Sequence, residues 1–348
     1  MASSSFISNL IVLVKWFIFA FCLGSISTTI ATSIDYEAKA LLSSQWWDDT
    51  VYNISNHCKW PGIGCNVNGS IVKISPPSQT IHVGDKLRKM NFTAFPNLVH
   101  LNLTEMGLTG SIPAEIGMLP LLTHLDLSYN NLSGKLGVSL ANFTQLRTLN
   151  LSDHFFLHDT APNFNDKLVT LKLSGNNFNG TIPKTLGGMY KLNLLDLSAN
   201  NLIGPIPSSL YGLHHLSILN LSNNKIKSIL PLELSHLTQL QYLDLSTNQL
   251  FGSIPHEIAQ LNVSVWNLSR NHLTGGIPSQ FSNIWNLNHK DLDLSYNKLT
   301  GSIPKELAYL NHLNLSYNSL SGQIPDYFLS YNSLRLHIPP ELYLYCFT

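Results

Sequence analysis

The chain has 348 residues and a formal net charge of zero, and Asp, Glu, Lys and Arg together make up only 11% of it. An average soluble domain has roughly 25% charged residues. A nucleic-acid-binding protein is excluded, because it would need a basic face.

Residues 1–31 have the pattern of a secretory signal peptide. Small polar residues precede an apolar stretch that is interrupted only by Lys15, and a run of Ser, Thr and Ala follows. We expect cleavage between Ser25 and Thr32. The alternative is a retained signal anchor, but the apolar stretch after Lys15 is shorter than the ~20 residues that a membrane span needs. The sequence therefore predicts a secreted, extracellular protein with no membrane span after signal cleavage.

Two features of the remaining chain fit an oxidising, extracellular compartment. Cys58 and Cys65 lie close together in "CKWPGIGC" and are expected to form a local disulfide, with two free thiols as the alternative. The pattern Asn-x-Ser/Thr marks twelve candidate glycosylation sites, and glycans on them would supply the solubility that the missing charges do not. These sites are Asn53, Asn68, Asn91, Asn102, Asn131, Asn142, Asn150, Asn179, Asn220, Asn262, Asn267 and Asn314.

A repeat of about 24 residues runs through the rest of the chain, and such a period is typical of a solenoid. The fullest copies share the frame LxxLxLxxNxLxGxIP, as in "LQYLDLSTNQLFGSIP". The Leu-x-Leu pairs begin at Leu101, Leu125, Leu149, Leu171, Leu195, Leu219, Leu243, Trp266, Leu292 and Leu313.

Each part of this frame has a physical role. In xLxLx, alternation places both Leu side chains on one face of a strand, so stacked copies predict one parallel sheet backed by a Leu core. The Asn that follows can pair with backbone groups where the chain turns, and repetition makes it a ladder. Gly relaxes the backbone, and Ile-Pro predicts an extended segment with a buried Ile.

The frame, with its second half LxGxIP, resembles the plant-type leucine-rich repeat of receptor-like kinase and receptor-like protein ectodomains. The segment "EAKALLSSQWWDD...CKWPGIGCN" is similar to the N-terminal capping module that precedes such repeats. The resemblance implies a leucine-rich repeat solenoid of the α/β class, a curved horseshoe or superhelix. Its parallel sheet would lie on the concave face, with short helical turns and extended segments on the convex face. It also implies a signal peptide (1–31), a capping module (32–75), about ten repeats (76–325) and an atypical C-terminal segment (326–348).

Two stretches depart from the frame. In "LSDHFFLHDTAPNFNDKLVTL", His154 takes the place of the ladder Asn. We interpret this stretch as a degenerate repeat whose aromatic side chains fill the core; the alternative is a specialised loop with His154, Phe155, Phe156 and His158 for a partner. After Pro325 the Leu-x-Leu spacing ends, and we expect aromatic and Leu side chains to cover the last repeat. The candidate covering residues are Tyr327, Phe328, Leu342, Tyr343, Leu344 and Tyr345.

The sequence contains no pattern typical of a catalytic site. "HEIAQ" at His256 lacks the second His of a zinc-protease helix, and the fourteen histidines have no metal-ligand spacing. Nucleophile-elbow, phosphate-loop and kinase signatures are missing as well. We therefore expect a protein that is not an enzyme and has no cofactor and no metal.

Ligand recognition is the remaining function. Outward side chains of the predicted sheet alternate between Asn and Asp, with one Lys, and tyrosines flank them; Tyr is a frequent anchor at interfaces. The alternative for each residue is a consensus position with no contact to a ligand. The candidate ligand-binding residues are His100, His124, Asp126, Tyr129, Lys172, Asp196, Tyr242, Asp244, Thr247, Arg270, Asp293, Tyr296, His312 and Tyr317.

The resemblance implies an extracellular recognition module that binds peptide or protein ligands, or another ectodomain of the same kind, in plant signalling or defence. It would be secreted, or displayed at the cell surface if the chain is part of a truncated receptor-like kinase. The length, predicted secretion and about ten repeats also resemble plant polygalacturonase-inhibiting proteins, which we retain as an alternative. A third possibility, the product of a broken gene, follows from the irregular spacings and the unmatched Cys346.

Overall fold

The computed structural model describes residues 35–47, 52–77, 83–134, 136, 140, 142–156, 166–282, 290–326, 328 and 335–339. The proposed signal peptide, His158 and Cys346 lie outside these residues. A thirteen-stranded sheet, here called the principal sheet, runs through the molecule in chain order. Its strands are Ile63–Cys65, Ile71–Ile74, His100–Asn102, His124–Asp126, Thr148–Asn150, Thr170–Lys172, Leu194–Asp196, Ile218–Asn220, Tyr242–Asp244, Val265–Asn267, Asp291–Asp293, His312–Asn314 and Arg335–His337.

The strands of the principal sheet are in register with one another. The first two strands form an antiparallel pair, and every later pairing is parallel. In each repeat the central residue is aligned with the central residue of the next, as Leu195 is with Leu219. From Leu101 to Leu313 these central side chains are buried, while the residues on either side of them are half-exposed, except for the buried Asp244. The alternation predicted from xLxLx is therefore confirmed.

The opposite side of the solenoid consists of short strands and short 3-10 helices. The Ile of each Ile-Pro pair is buried beneath them, as expected. The short strands are Thr109–Gly110, Asn131–Gly134, Phe155–Phe156, Asn179–Thr181, Asn201–Gly204, Lys225–Ile226, Phe251–Gly252, His272–Gly275, Lys298–Gly301 and Ser319–Leu320. The 3-10 helices are Ile54–Lys59, Gly84–Lys89, Phe92–Ala94, Ala114–Met118, Lys184–Gly188, Ser208–Gly212, Leu232–His236, Ile258–Gln260, Ser279–Ser282 and Lys305–Tyr309.

The predicted asparagine ladder connects neighbouring repeats. Asn224 is a representative member: its Nδ2 donates to the carbonyl oxygens of Leu197, Leu221 and Ser222, and its Oδ1 accepts from the backbone N–H of Leu202. The side chain is 8% exposed. Because an unpaired buried backbone group costs about 1–3 kcal/mol, each such Asn stabilises both its own turn and the preceding one.

The ladder is interrupted at His154. The ring is buried, its Nδ1 lies 2.9 Å from the carbonyl oxygen of Asn130, and its edge packs against Phe156. Two buried atoms in adjacent repeats, Nε2 of His154 and Oδ1 of Asn176, form no hydrogen bond. Phe156 is fully buried but Phe155 is 56% exposed. The side chains of His154 and Phe156 thus fill the core, as the interpretation of a degenerate repeat predicts, whereas Phe155 faces solvent.

The N-terminal end of the solenoid is covered by a helix over residues 35–43 and by the first strand pair. The buried carboxylate of Glu37 accepts hydrogen bonds from the Oγ of Ser70 and the backbone N–H of Ile71, at 2.5 and 2.7 Å. Trp47 and Trp60 pack together behind it. Cys58 and Cys65 are joined by a disulfide that ties the first 3-10 helix to the first strand.

The last described strand, Arg335–His337, pairs in parallel with His312–Asn314. Phe328 and Ile338 are buried and belong to the continuous core. The other residues predicted to cover this end, Tyr327, Leu342, Tyr343, Leu344 and Tyr345, lie outside the described residues. No helix in the described ranges is both long enough and apolar enough to span a bilayer.

Candidate ligand-binding surface

The outward side of the principal sheet carries three parallel columns of side chains. The first column contains the first residue of each strand, from His100 to His312, and the second contains the third residue, from Asn102 to Asn314. The third column lies at the turn after each strand and is described below. Since parallel strands lie ~4.8 Å apart, the ten strands from His100–Asn102 to His312–Asn314 form a strip about 40 Å long. The candidate residues are spread along this strip and do not converge on one pocket.

The second column has a structural role that the sequence did not reveal. In this column Oδ1 of Asp126 accepts hydrogen bonds from both the backbone N–H and the hydroxyl of Ser128. Asn102, Asn220, Asn267 and Asn314 make the same pair of bonds to the Ser or Thr two residues later. Asn and Asp alternate here because both supply the acceptor that begins the turn.

Three of the four carboxylates in this column have their second oxygen occupied as well. Oδ2 of Asp126, Asp244 and Asp293 accepts from the Nδ2 of the Asn on the following strand. The hydroxyl of Tyr242 also donates to Asp244, and burial together with that carboxylate raises the pKa of Tyr242. These Asp residues are therefore part of the scaffold, and their free hydrogen-bonding capacity toward a ligand is reduced.

Lys172 is aligned with Asp196 on the next strand, as expected, but no ion pair within 4 Å joins them in the described structure. Lys172 is the one cation among the described residues of the second column from Asn102 to Asn314. Its ammonium group remains available to a partner.

The third column has left-handed backbone geometry. Its residues follow the turn Ser or Thr, and all have φ between 52° and 64°: Glu105, Tyr129, Asp153, Gly175, Ala199, Asn223, Thr247, Arg270, Tyr296 and Tyr317. From Glu105 to Tyr296 the backbone N–H of each residue donates across to the next repeat, as that of Thr247 does to the carbonyl oxygen of Ser269. Their side chains are directed to the rim of the sheet because this geometry reverses the chain there.

Three candidate residues of the third column form a stack. The rings of Tyr296 and Tyr317 lie 4.1 Å apart between centroids, and the guanidinium carbon of Arg270 lies 4.3 Å from the centroid of Tyr296. Tyr129 occupies the same column near the other end and is 63% exposed. The flank thus offers one isolated tyrosine and one cation-capped pair.

Histidines occupy both ends of the sheet face. His100 and His124 are aligned on adjacent strands, with ring centroids 5.2 Å apart. Burial lowers the pKa of His100, and the nearby His124 and Lys73 lower it further. His312 packs edge-on against His337 at 5.6 Å. His337 was not among the predicted residues, because its segment lacks the repeat spacing.

A shallow depression of about 480 Å³ adjoins the first column. Val169, Asn193, Ser217 and Gln241 line it, and each directly precedes a first-column residue. Amide and hydroxyl groups are suited to hydrogen-bonding an extended backbone. The central sheet face therefore has a polar margin on one side and the third column on the other.

The sequence matches the leucine-rich repeat family over most of this array. Residues 207–250 match one family model of the leucine-rich repeat. A second family model of the same repeat matches residues 121–143, 167–189, 191–213, 267–284, 290–310 and 309–331. A curated relative, the leucine-rich repeat receptor-like serine/threonine-protein kinase RGI4 of Arabidopsis thaliana, is 40% identical over 65 residues. This match covers 19% of the present chain and 6% of the relative.

Solved plant receptor structures have the same fold. The plant peptide hormone receptor RGFR1, in complex with RGF2, is 35% identical with a TM-score of 0.66, over 71% of this chain and 40% of that one. The ectodomain of the Arabidopsis receptor kinase HAESA, in complex with an IDA peptide hormone, is 27% identical with a TM-score of 0.72, over 88% and 62%. The chain thus spans less than two thirds of the length of each of these relatives.

The repeats and the fold together define a leucine-rich repeat solenoid. Its repeats match the leucine-rich repeat over the ranges given above, and the chain is similar in sequence and structure to plant receptor ectodomains.

Proposed function

We propose that this chain is a non-catalytic extracellular recognition module whose sheet face binds a peptide or protein ligand. The observation that carries the proposal is the strip of ten aligned strands, which presents outward side chains that the core does not use. Its similarity to receptors solved with peptide hormones supports the same role. One of those receptors was solved together with a co-receptor, so a second ectodomain is a further candidate partner.

The chemistry of the strip favours an extended peptide that lies across the strands. Lys172 and Arg270 offer charge, Tyr129, Tyr296 and Tyr317 offer aromatic area with a polar tip, and the polar margin offers hydrogen bonds. An extended chain advances ~3.3 Å per residue, so about twelve residues would span the strip. Signalling or defence by an apoplastic or cell-surface protein is the corresponding biological role.

Selection from a random phage-displayed peptide library against the purified chain tests this proposal. Val265→Arg places a bulky cation in the first column, and Leu232→Arg places the same residue on the opposite side, where Leu232 is 51% exposed. Selected peptides should bind Val265→Arg at least tenfold more weakly and Leu232→Arg unchanged. A library that yields no binder, or binders affected only by Leu232→Arg, would contradict the proposal.

We further propose that glycans occupy the exposed sequons and leave the sheet face free. Asn53, Asn68, Asn91, Asn131, Asn142, Asn179 and Asn262 are exposed. Asn102, Asn150, Asn220, Asn267 and Asn314 are half-buried, and turn chemistry that Asp performs equally well accounts for their Asn-Leu-Ser/Thr pattern. Mass spectrometry of glycopeptides from secreted protein should find the first group occupied; high occupancy of the second would refute this.

A further inference from the structure

We propose that His100 and His124 form a solvent-accessible binding site for one divalent transition-metal ion such as Zn²⁺ or Cu²⁺. The two residues are 24 positions apart in sequence, which is one repeat. They therefore do not form a short-range metal-binding motif that could be recognised in the sequence. Stacking of the repeats places them on adjacent strands in direct register. Imidazole is the side chain that these metals bind most commonly in proteins.

The separation of the rings suits a shared ion. A metal–nitrogen distance of ~2.0–2.1 Å and a roughly tetrahedral angle place the centroids of two coordinating imidazoles about 5.2 Å apart. The centroids of His100 and His124 are 5.2 Å apart, with the ring planes inclined by 32°. The two remaining coordination positions would be open to water or to a carboxylate of a bound ligand.

One of the rings is already held in the orientation that metal ligands have. The Nδ1 of His124 lies 2.7 Å from the hydroxyl of Thr123, and that hydroxyl donates to the carbonyl oxygen of Val99. The tautomer in which Nδ1–H of His124 donates to Thr123 satisfies both contacts and leaves the lone pair on Nε2. Metal-binding histidines are typically fixed through their second nitrogen in this way. Within the described structure, Nε2 of His124 and both ring nitrogens of His100 form no hydrogen bond.

Charged neighbours act in opposite directions on this site. Lys73 is aligned with His100 on the preceding strand, and its ammonium group opposes a bound cation. Asp126 lies on the same strand as His124, and its carboxylate favours the cation. At ~8 Å in water the interaction between one charge and a divalent ion changes affinity by about two- to fivefold after screening.

The second histidine pair provides an internal comparison. The rings of His312 and His337 are perpendicular at 5.6 Å, and the residue aligned with His312 is Arg335, not His337. The guanidinium group beside His312 opposes a cation. We therefore assign the metal site to the His100 end of the sheet.

Isothermal titration of the secreted full chain with ZnCl₂ and CuCl₂ tests the assignment. His100→Asn and His124→Asn should each weaken binding at least tenfold, roughly the loss expected when a two-point chelate is reduced to one point. His272→Asn, at an exposed histidine elsewhere, should leave it unchanged. Lys73→Gln should tighten binding by about two- to fivefold at low salt.

Thermal melts monitored by circular dichroism control for folding in each variant. Unchanged metal affinity in His100→Asn and His124→Asn would overturn the proposal. An equal loss in His272→Asn would also overturn it, since the metal would then be binding dispersed surface histidines.

Discussion

Tyr296 and Tyr317 lie one repeat apart and stack with ring planes inclined by only 13°. Both have left-handed backbone geometry, with φ of 54° and 55°, so the identical turn directs both rings to the same rim. Arg270, with φ of 55°, extends the column by one more repeat and lies over the face of Tyr296.

In this stack, Tyr317 and Arg270 are expected to shift the pKa of Tyr296 in opposite directions. The hydrogen bond with Tyr317 raises the pKa of Tyr296, whereas the positive charge of Arg270 lowers it. In Tyr317→Phe the pKa of Tyr296 should therefore fall back toward its ordinary value near 10, and in Arg270→Gln it should rise. Alkaline titration of ¹³Cζ-labelled tyrosine by NMR, assigned with Tyr296→Phe, measures both shifts; movement in the same direction would contradict the geometry.

The asparagine ladder predicts a large and localised loss of stability. Asn224→Ala removes a side chain that pairs with four backbone groups of two repeats, so the free energy of unfolding should fall by about 2–4 kcal/mol. Asn177→Ala, at an exposed residue next to another ladder position, should change it by less than about 0.5 kcal/mol. Urea denaturation followed by circular dichroism provides both values, and equal losses would refute the ladder's role.

The break in the ladder predicts a variant that is more stable than the natural chain. The imidazole ring of His154 has a buried nitrogen that forms no hydrogen bond. His154→Asn replaces this ring by the side chain that occupies the ladder position in most other repeats. The melting temperature should rise by about 1–2 °C, which corresponds to about 1 kcal/mol in a chain of this size. A lower melting temperature would show that packing between His154 and Phe156 outweighs the missing hydrogen bonds.

The same residue predicts a dependence of stability on pH. Burial lowers the pKa of His154 in the folded state, so between this value and ~6.5 the unfolded chain binds a proton that the folded chain does not. Stability should therefore decrease as pH falls through that window. Urea midpoints measured from pH 7.5 to 4.5 should decline less steeply for His154→Asn than for the natural chain; parallel curves would be inconsistent with a lowered pKa.

The N-terminal cap predicts that a single carboxylate secures the first strand pair. Glu37→Gln leaves one acceptor oxygen for two donors and turns an NH₂ group toward Ser70 or Ile71. The free energy of unfolding should fall by about 2–3 kcal/mol, because a buried donor loses its partner. Glu115→Gln, at an exposed position in a 3-10 helix, is the control and should be neutral.

Local pattern was sufficient to predict the solenoid, its parallel sheet, the buried Ile of each Ile-Pro pair and the ladder. These features depend on residue spacing within one repeat, and a period of two or of 24 is visible in the chain itself. His154 was recognised as a departure by the same means. Its unpaired Nε2 was not, because burial depends on the neighbouring repeats.

The relationships that decide chemistry on the sheet face were set by stacking between repeats. Sequence alone listed His100 and His124 among the candidate ligand-binding residues but found no metal-ligand spacing for them, and it interpreted Asp126 and Asp244 as outward charges. In the structure the two histidines are neighbours, and the carboxylates are occupied by turn and cross-strand hydrogen bonds. Spacing along the chain determines which residues face outward; register between strands determines which of them meet, since it brings residues one full repeat apart to within ~5 Å.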